Sequence, residues 1–116
     1  MKERKVKMTV SKLAELASLT PITLSDPERE VYSAYVGDLL SWVMGRAEEG
    51  NAWITIMSNV NVIAVASLVD VSCVILAEGV KLDEGVEKTA EAKGINILST
   101  EKSAYETAKA LSALGI

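Results

Sequence analysis

Apolar and polar positions divide the chain into short runs whose period changes several times. Val6, Met8 and Val10 alternate with polar residues, as in a half-buried strand. Leu13, Leu16 and Ala17 then switch to helical spacing, with Ser11 placed as the N-cap. Pro21 and Pro27 bracket a short strand, Ile22-Thr23-Leu24, which ends in the turn residues Ser25-Asp26-Pro27. Residues 31–36 are β-branched and aromatic, predict another strand, and close at Gly37-Asp38. Asp38 stands where a cap belongs, before Leu39, Leu40, Trp42, Val43, Met44 and Ala47 at helical spacing. Glu48 and Glu49 extend that helix, and Gly50 supplies a left-handed stop.

The second half is more regular. Trp53-Ile54-Thr55-Ile56-Met57, Cys73-Val74-Ile75-Leu76-Ala77 and Ile95-Asn96-Ile97-Leu98 predict three buried strands. The connections, 58–72 and 78–94, are too long for hairpins and long enough for helices, so these strands are expected to be parallel and joined right-handedly. Residues 59–70 are apolar nearly all round and rich in β-branched side chains, which disfavour helix. A parallel return nevertheless requires a crossover, and small Ala64, Ala66 and Ser67 allow close packing. A helix buried on most of its circumference follows. Asp83 is placed to cap the second crossover helix, which stops at Lys93-Gly94. Residues 101–114 set Ala104, Ala108, Leu111 and Leu114 on one face of a final amphipathic helix closed by Gly115. The expected fold is α/β, one compact domain over residues 1–116 with a mostly parallel sheet flanked by helices. Two helices with wide apolar circumferences, 39–47 and 59–70, point to a second subunit and hence a homodimer.

Composition narrows the function classes. The chain has 116 residues, 49% hydrophobic and 24% charged, which is enough for one real core and excludes a disordered tail. It has no His and one Cys, which removes the commonest general base, an internal disulfide and a Cys-rich zinc site. Cys73 inside an apolar run fits a core role in a reducing compartment. Five of the twelve basic residues fall in the first twelve positions, beside Glu3 alone, and read as a solvated leader. Residues 13–116 then carry seven basic against fifteen acidic residues, a net of −8, which repels a phosphate backbone. Nucleic acid is not an expected partner. Nor is a membrane: the N-terminus lacks a signal-type apolar region, and the uncharged stretch 52–69 is broken by Thr55, Ser58, Asn59, Asn61 and Ser67. A cytoplasmic protein is expected.

Candidate chemistry is geometric. No glycine spacing gives a dinucleotide fingerprint or a phosphate loop. Glycines 50, 94 and 115 are accounted for as helix stops and 45 and 85 fall inside predicted helices, leaving Gly37 and Gly79 as backbone approaches to a ligand or as plain turn residues. In a parallel sheet the ligand crevice lies beyond the carboxyl ends of the strands. Those ends are all polar: Gly37 and Asp38, then Ser58, Asn59 and Asn61, then Glu78 and Gly79, then Ser99 and Thr100. Their side chains suit a sugar hydroxyl or an anion, and Asp38 or Glu78 a ribose or a cation. The same residue types are the standard helix caps, the commoner role at any single position, so convergence on one crevice is what would make a site. Tyr32 and Tyr35 either flank that crevice or pack on the sheet, while Trp53 is core. Cys73 and the serines have no partner base.

The segments Tyr35-Val36-Gly37-Asp38-Leu39-Leu40-Ser41-Trp42-Val43-Met44, Trp53-Ile54-Thr55-Ile56-Met57, Asn59-Val60-Asn61-Val62-Ile63-Ala64-Val65-Ala66 and Ile97-Leu98-Ser99-Thr100 resemble a stand-alone DRTGG domain. The opening Met8-Thr9-Val10-Ser11-Lys12-Leu13 and the stretch 19–24 resemble the related N-terminal domain of HPr kinase/phosphorylase. The resemblance implies a compact fold that is non-catalytic, commonly self-associating and regulatory. The Asp-Arg-Thr-Gly-Gly motif itself is absent, Val36-Gly37-Asp38-Leu39-Leu40 does not supply it, and no kinase phosphate loop follows. The leading expectation is a homodimeric module that senses a nucleotide or other metabolite, or docks on a partner enzyme; no cofactor is indicated. The competing expectations are an interaction subunit without a ligand and, behind it, a minimal Mg²⁺-dependent enzyme using Asp38 and Glu78.

Overall fold

The structure, a computed structural model, describes residues 7–116. In chain order the elements are α1 (Val10–Leu16), β1 (Thr20–Thr23), β2 (Ser33–Val36), α2 (Leu40–Arg46), β3 (Asn51–Thr55), α3 (Asn61–Val69), β4 (Cys73–Leu76), α4 (Val86–Lys93), β5 (Ile97–Ser99) and α5 (Ala104–Ala113). The strands form one sheet in the order β1-β5-β4-β3-β2. Strands β2 to β5 are mutually parallel, and β1 runs antiparallel along β5. Pro21 is tolerated because β1 is an edge, and the ladder shifts register between Pro21 and Thr23. There the Thr23 hydroxyl replaces a backbone partner, accepting from Ile97 N at 3.0 Å and donating to Ile95 O at 2.7 Å.

The central strands are apolar throughout because helices cover both faces. Trp53, Val74, Leu76 and Ile97 face α2, α3 and α4, where they meet Val43, Val62, Ile63, Ala66, Val86 and Ala90. Their neighbours Ala52, Ile54, Cys73, Ile75 and Leu98 face α1 and α5, where Val10, Leu13 and Leu111 close the other core. The path β2, β3, β4, β5 steps across the sheet in one direction, so right-handed crossovers place α2, α3 and α4 on the same side. After β5 the chain changes sides, and α5 joins α1. The expected mostly parallel α/β domain is therefore the observed one.

Several local expectations change. Val6 lies outside the described residues, and Val10, expected in an opening strand, is instead the fully buried first residue of α1. Thr9, not Ser11, caps that helix, accepting from Lys12 N at 3.1 Å, because the helix starts two residues early and seats Val10 in the core. Asp38 does not cap α2. Leu39 holds that position without a side-chain bond, and the Asp38 carboxylate instead accepts from Thr55 Oγ1 at 2.7 Å and Ile56 N at 2.9 Å. It thereby ends β3 at Thr55, before the expected Met57. Gly50 is no helix stop either: α2 ends at Arg46, and Gly50, at φ +83°, is left-handed where any Cβ would stand 2.3 Å from the Tyr32 ring. Gly85 is the left-handed cap of α4 in place of Asp83. Finally, α3 buries one face only, with Ala64, Ser67 and Leu68 exposed on the other.

Candidate functional site

The carboxyl ends of β2 to β5 lie side by side along one rim, which holds all nine polar positions singled out in the sequence. Their surroundings differ. At β2 and β3, Asp38 is engaged by Thr55 and Ile56, and the Gly37 carbonyl accepts from Trp53 Nε1 at 2.8 Å. Next along the rim, Ser58 Oγ donates to Asp83 Oδ1 at 2.8 Å, tying the loop after β3 to the loop before α4. The Asn59 side chain accepts from Asn61 N at 2.9 Å, an Asx turn leading into α3. These five positions hold loops together, and none of them lines the pocket at the other end of the rim.

The other end differs because the sheet changes winding between β4 and β5. The chain leaving β4 turns to α4 on one face, whereas the chain leaving β5 turns to α5 on the opposite face. Loops that part in this way leave a crevice at the switch point. Here it is a pocket of ≈ 310 Å³ lined by Ile22, Gly79, Val80, Lys81, Leu82, Glu87, Ser99 and Glu101. Gly79 and Ser99 are thus brought together. Glu78 and Thr100 are their immediate neighbours and shape the loops: Glu78 N donates to Lys102 O at 2.8 Å, and Gly79 N to Thr100 O at 2.9 Å. Thr100 Oγ1 accepts from Lys102 N. Glu78 and Gly79 both have positive φ, +62° and +68°. The left-handed backbone favours glycine at the second position, and a Cβ on Gly79 would meet Glu101 Oε1 at 2.6 Å and displace that side chain. Absence of a side chain lets the Glu101 carboxylate lie over the loop.

Chemically, the lining combines two carboxylates, one ammonium group, a hydroxyl and three partly exposed apolar side chains. The Ser99 hydroxyl donates to Thr20 O at 3.3 Å across the β5–β1 edge. Sequence reasoning missed Ile22, Val80, Lys81, Leu82, Glu87 and Glu101. A signal existed for part of this set: Val80, Lys81 and Leu82 follow the one late glycine unclaimed by a helix, and they interleave apolar and charged side chains outside any periodic element. Nothing pointed to Ile22, which arrives through β1. Of the tyrosines, Tyr32 is exposed and bonded to Glu30, which raises its phenol pKa; Tyr35 packs among the α2–α4 core, and Trp53 is fully buried. No helix among the described residues is long and apolar enough to cross a membrane.

Comparison with known proteins follows the same outline. A protein-family model, the DRTGG domain, matches residues 26–114. The fold is similar, with a TM-score of 0.70, to the crystal structure of the CBS and DRTGG domains of the regulatory region of Clostridium perfringens pyrophosphatase complexed with activator, diadenosine tetraphosphate. The two are 12% identical over 89% of this chain and 45% of that one, so this chain spans less than half its neighbour's length. No curated protein sequence matches.

Proposed function

The chain belongs to the DRTGG domain family, and from that premise we propose that it is a non-catalytic regulatory module, homodimeric and cytoplasmic, that senses a nucleotide or other small metabolite. The observation that carries this reading is the pocket at the switch point between β4 and β5. Gly79, Ser99, Lys81 and Glu101 are its proposed contacts, with Glu78 and Thr100 holding the loops that frame it. Gly37, Asp38, Ser58, Asn59 and Asn61 are given a structural role instead. The solved neighbour supports a small-molecule signal, since its regulatory region is complexed with an activator built from nucleosides and phosphates. That region contains two kinds of domain, and this chain is similar to part of it. The Mg²⁺-dependent alternative is disfavoured because Asp38 and Glu78 follow β2 and β4, which are not neighbouring strands. Docking on a partner enzyme is the other form this regulatory reading takes.

Self-association is supported by apolar surface. Val36, Leu39, Trp42 and Met44, at the β2 edge and on α2, are each 46–58% exposed. Four large apolar side chains left this exposed within nine residues are surface that a second copy could cover.

A thermal-shift panel of nucleotides, phosphorylated metabolites and divalent metals tests the proposal. A ligand at a hundred times its Kd adds about 2.7 kcal/mol, on the order of 10 °C for a domain of this size. Lys81→Ala should shrink that shift, whereas Asp38→Ala should lower the melting temperature and leave the shift unchanged. No shift with any compound overturns ligand sensing and favours an interaction-only subunit.

A further inference from the structure

The charge and backbone of the switch-point pocket select among ligands. A polyphosphate site gathers cations and free backbone N–H groups. This pocket has Lys81 against Glu87 and Glu101, a net of −1. Three successive N–H groups of the loop after β4 are engaged in backbone bonds and do not cradle a phosphate: Glu78 N with Lys102 O at 2.8 Å, Gly79 N with Thr100 O at 2.9 Å, and Val80 N with Ala77 O at 3.2 Å. The carboxylates, by contrast, are available. Among the described residues, neither Glu87 nor Glu101 takes part in a side-chain hydrogen bond, and the single ion pair is Arg29 with Asp70. An ionised carboxylate only accepts hydrogen bonds, so its natural complement is a pair of donors such as a vicinal diol. Ile22, Val80 and Leu82 supply an apolar wall for a flat ring. A volume of ≈ 310 Å³ sits at the small end of ligand sites, roughly 300–1,000 Å³, and suits one nucleoside unit rather than two.

Building on the ligand-sensing reading above, we propose that the pocket takes a single nucleoside unit with at most one phosphoryl group. Glu101 accepts from the ribose hydroxyls, the base lies against Val80 and Leu82, and Lys81 meets the phosphoryl oxygen. Polyphosphates are disfavoured by the net negative lining. Calorimetric titration of the full chain with adenosine, guanosine, AMP, GMP, ATP, 2′,3′-dideoxyadenosine and ribose 5-phosphate tests this. A nucleoside or its monophosphate should bind about tenfold or more tighter than its triphosphate. Removing both ribose hydroxyls should weaken binding about tenfold or more, the loss of hydrogen bonds to a charged group. Ribose 5-phosphate, lacking the base, should bind far more weakly than AMP. Glu101→Gln, near-isosteric at an exposed position, should keep the melting temperature and reduce the penalty for the missing hydroxyls. The proposal is overturned if ATP binds more tightly than AMP, if binding ignores the hydroxyls, or if ribose 5-phosphate matches AMP. If none of these probes binds while another metabolite raises the melting temperature, this inference falls and ligand sensing stands; if no metabolite does so, both fall.

Discussion

Thr9 and Ser103 each accept a hydrogen bond at 3.1 Å from the third residue of the helix they precede, Lys12 and Glu106. Ser11, two residues from Thr9, makes no such side-chain bond to α1. Replacing Thr9 or Ser103 by Ala should therefore cost about 1 kcal/mol in urea denaturation, while Ser11→Ala stays within about 0.5 kcal/mol. Equal losses at Thr9 and Ser11 would contradict the assigned cap. Cys73 poses a different problem. Burial pushes its thiol from 9.0 up to about 12, because an anion in the apolar middle of the sheet has no partner. Between those two pH values the unfolded chain binds fewer protons than the folded one, so this group's contribution is complete below pH 9 and is lost as pH rises toward 12. The loss approaches about 1.4 kcal/mol per pH unit. Cys73→Ala removes this dependence while leaving a small cavity. Wild type should be the more stable at pH 7, and its advantage should disappear in denaturation curves taken above pH 10.

Among the elements, the loop between β4 and α4 is the one whose conformation and chemistry are joined. Glu78 already sits at φ +62°, where a side chain costs strain, and Gly79 follows at +68° beneath the Glu101 carboxylate. Gly79→Ala should lower stability by about 1–2 kcal/mol from the left-handed backbone alone. The Glu101 side chain is flexible and exposed, so it moves aside rather than blocking folding. The same variant should then weaken any ligand that Glu101 holds, measured by calorimetry at a temperature where the variant is fully folded. Unchanged affinity would place the ligand away from this loop. Asp38 and Asp83 act at the same scale, one holding the end of β3 and the other the loop after it, which is why neither serves its own helix.

Across the whole molecule, one sheet covered on both faces leaves its apolar surplus at the β2 edge and on α2. Val43 is the fully buried residue of that short helix, while Trp42 remains 52% exposed with the Arg46 guanidinium stacked 3.8 Å from its ring centroid. Trp42→Glu should shift a dimer toward monomer by light scattering and leave the melting temperature of the isolated monomer nearly unchanged; a wild-type monomer at micromolar concentration removes the dimer from the proposal. Much of the architecture was legible in the chain. β4, β5 and α5 follow from the pattern of apolar residues, and the parallel arrangement, with α3 as its crossover, follows from connections too long for hairpins, because both are local records of which side chains must be hidden and how far the backbone must travel. Order in the sheet, and the change of face after β5 that opens the pocket, depend on which elements meet across space. So do the partners of Asp38 and Asp83: a carboxylate beside a helix start also had a free N–H or hydroxyl on a neighbouring segment within reach. Ile22 and Glu101 share a pocket because β1 pairs with β5, a contact that no local pattern encodes. Hydrophobic spacing therefore determined the layers, and only tertiary packing decided where the molecule presents polar groups to a ligand.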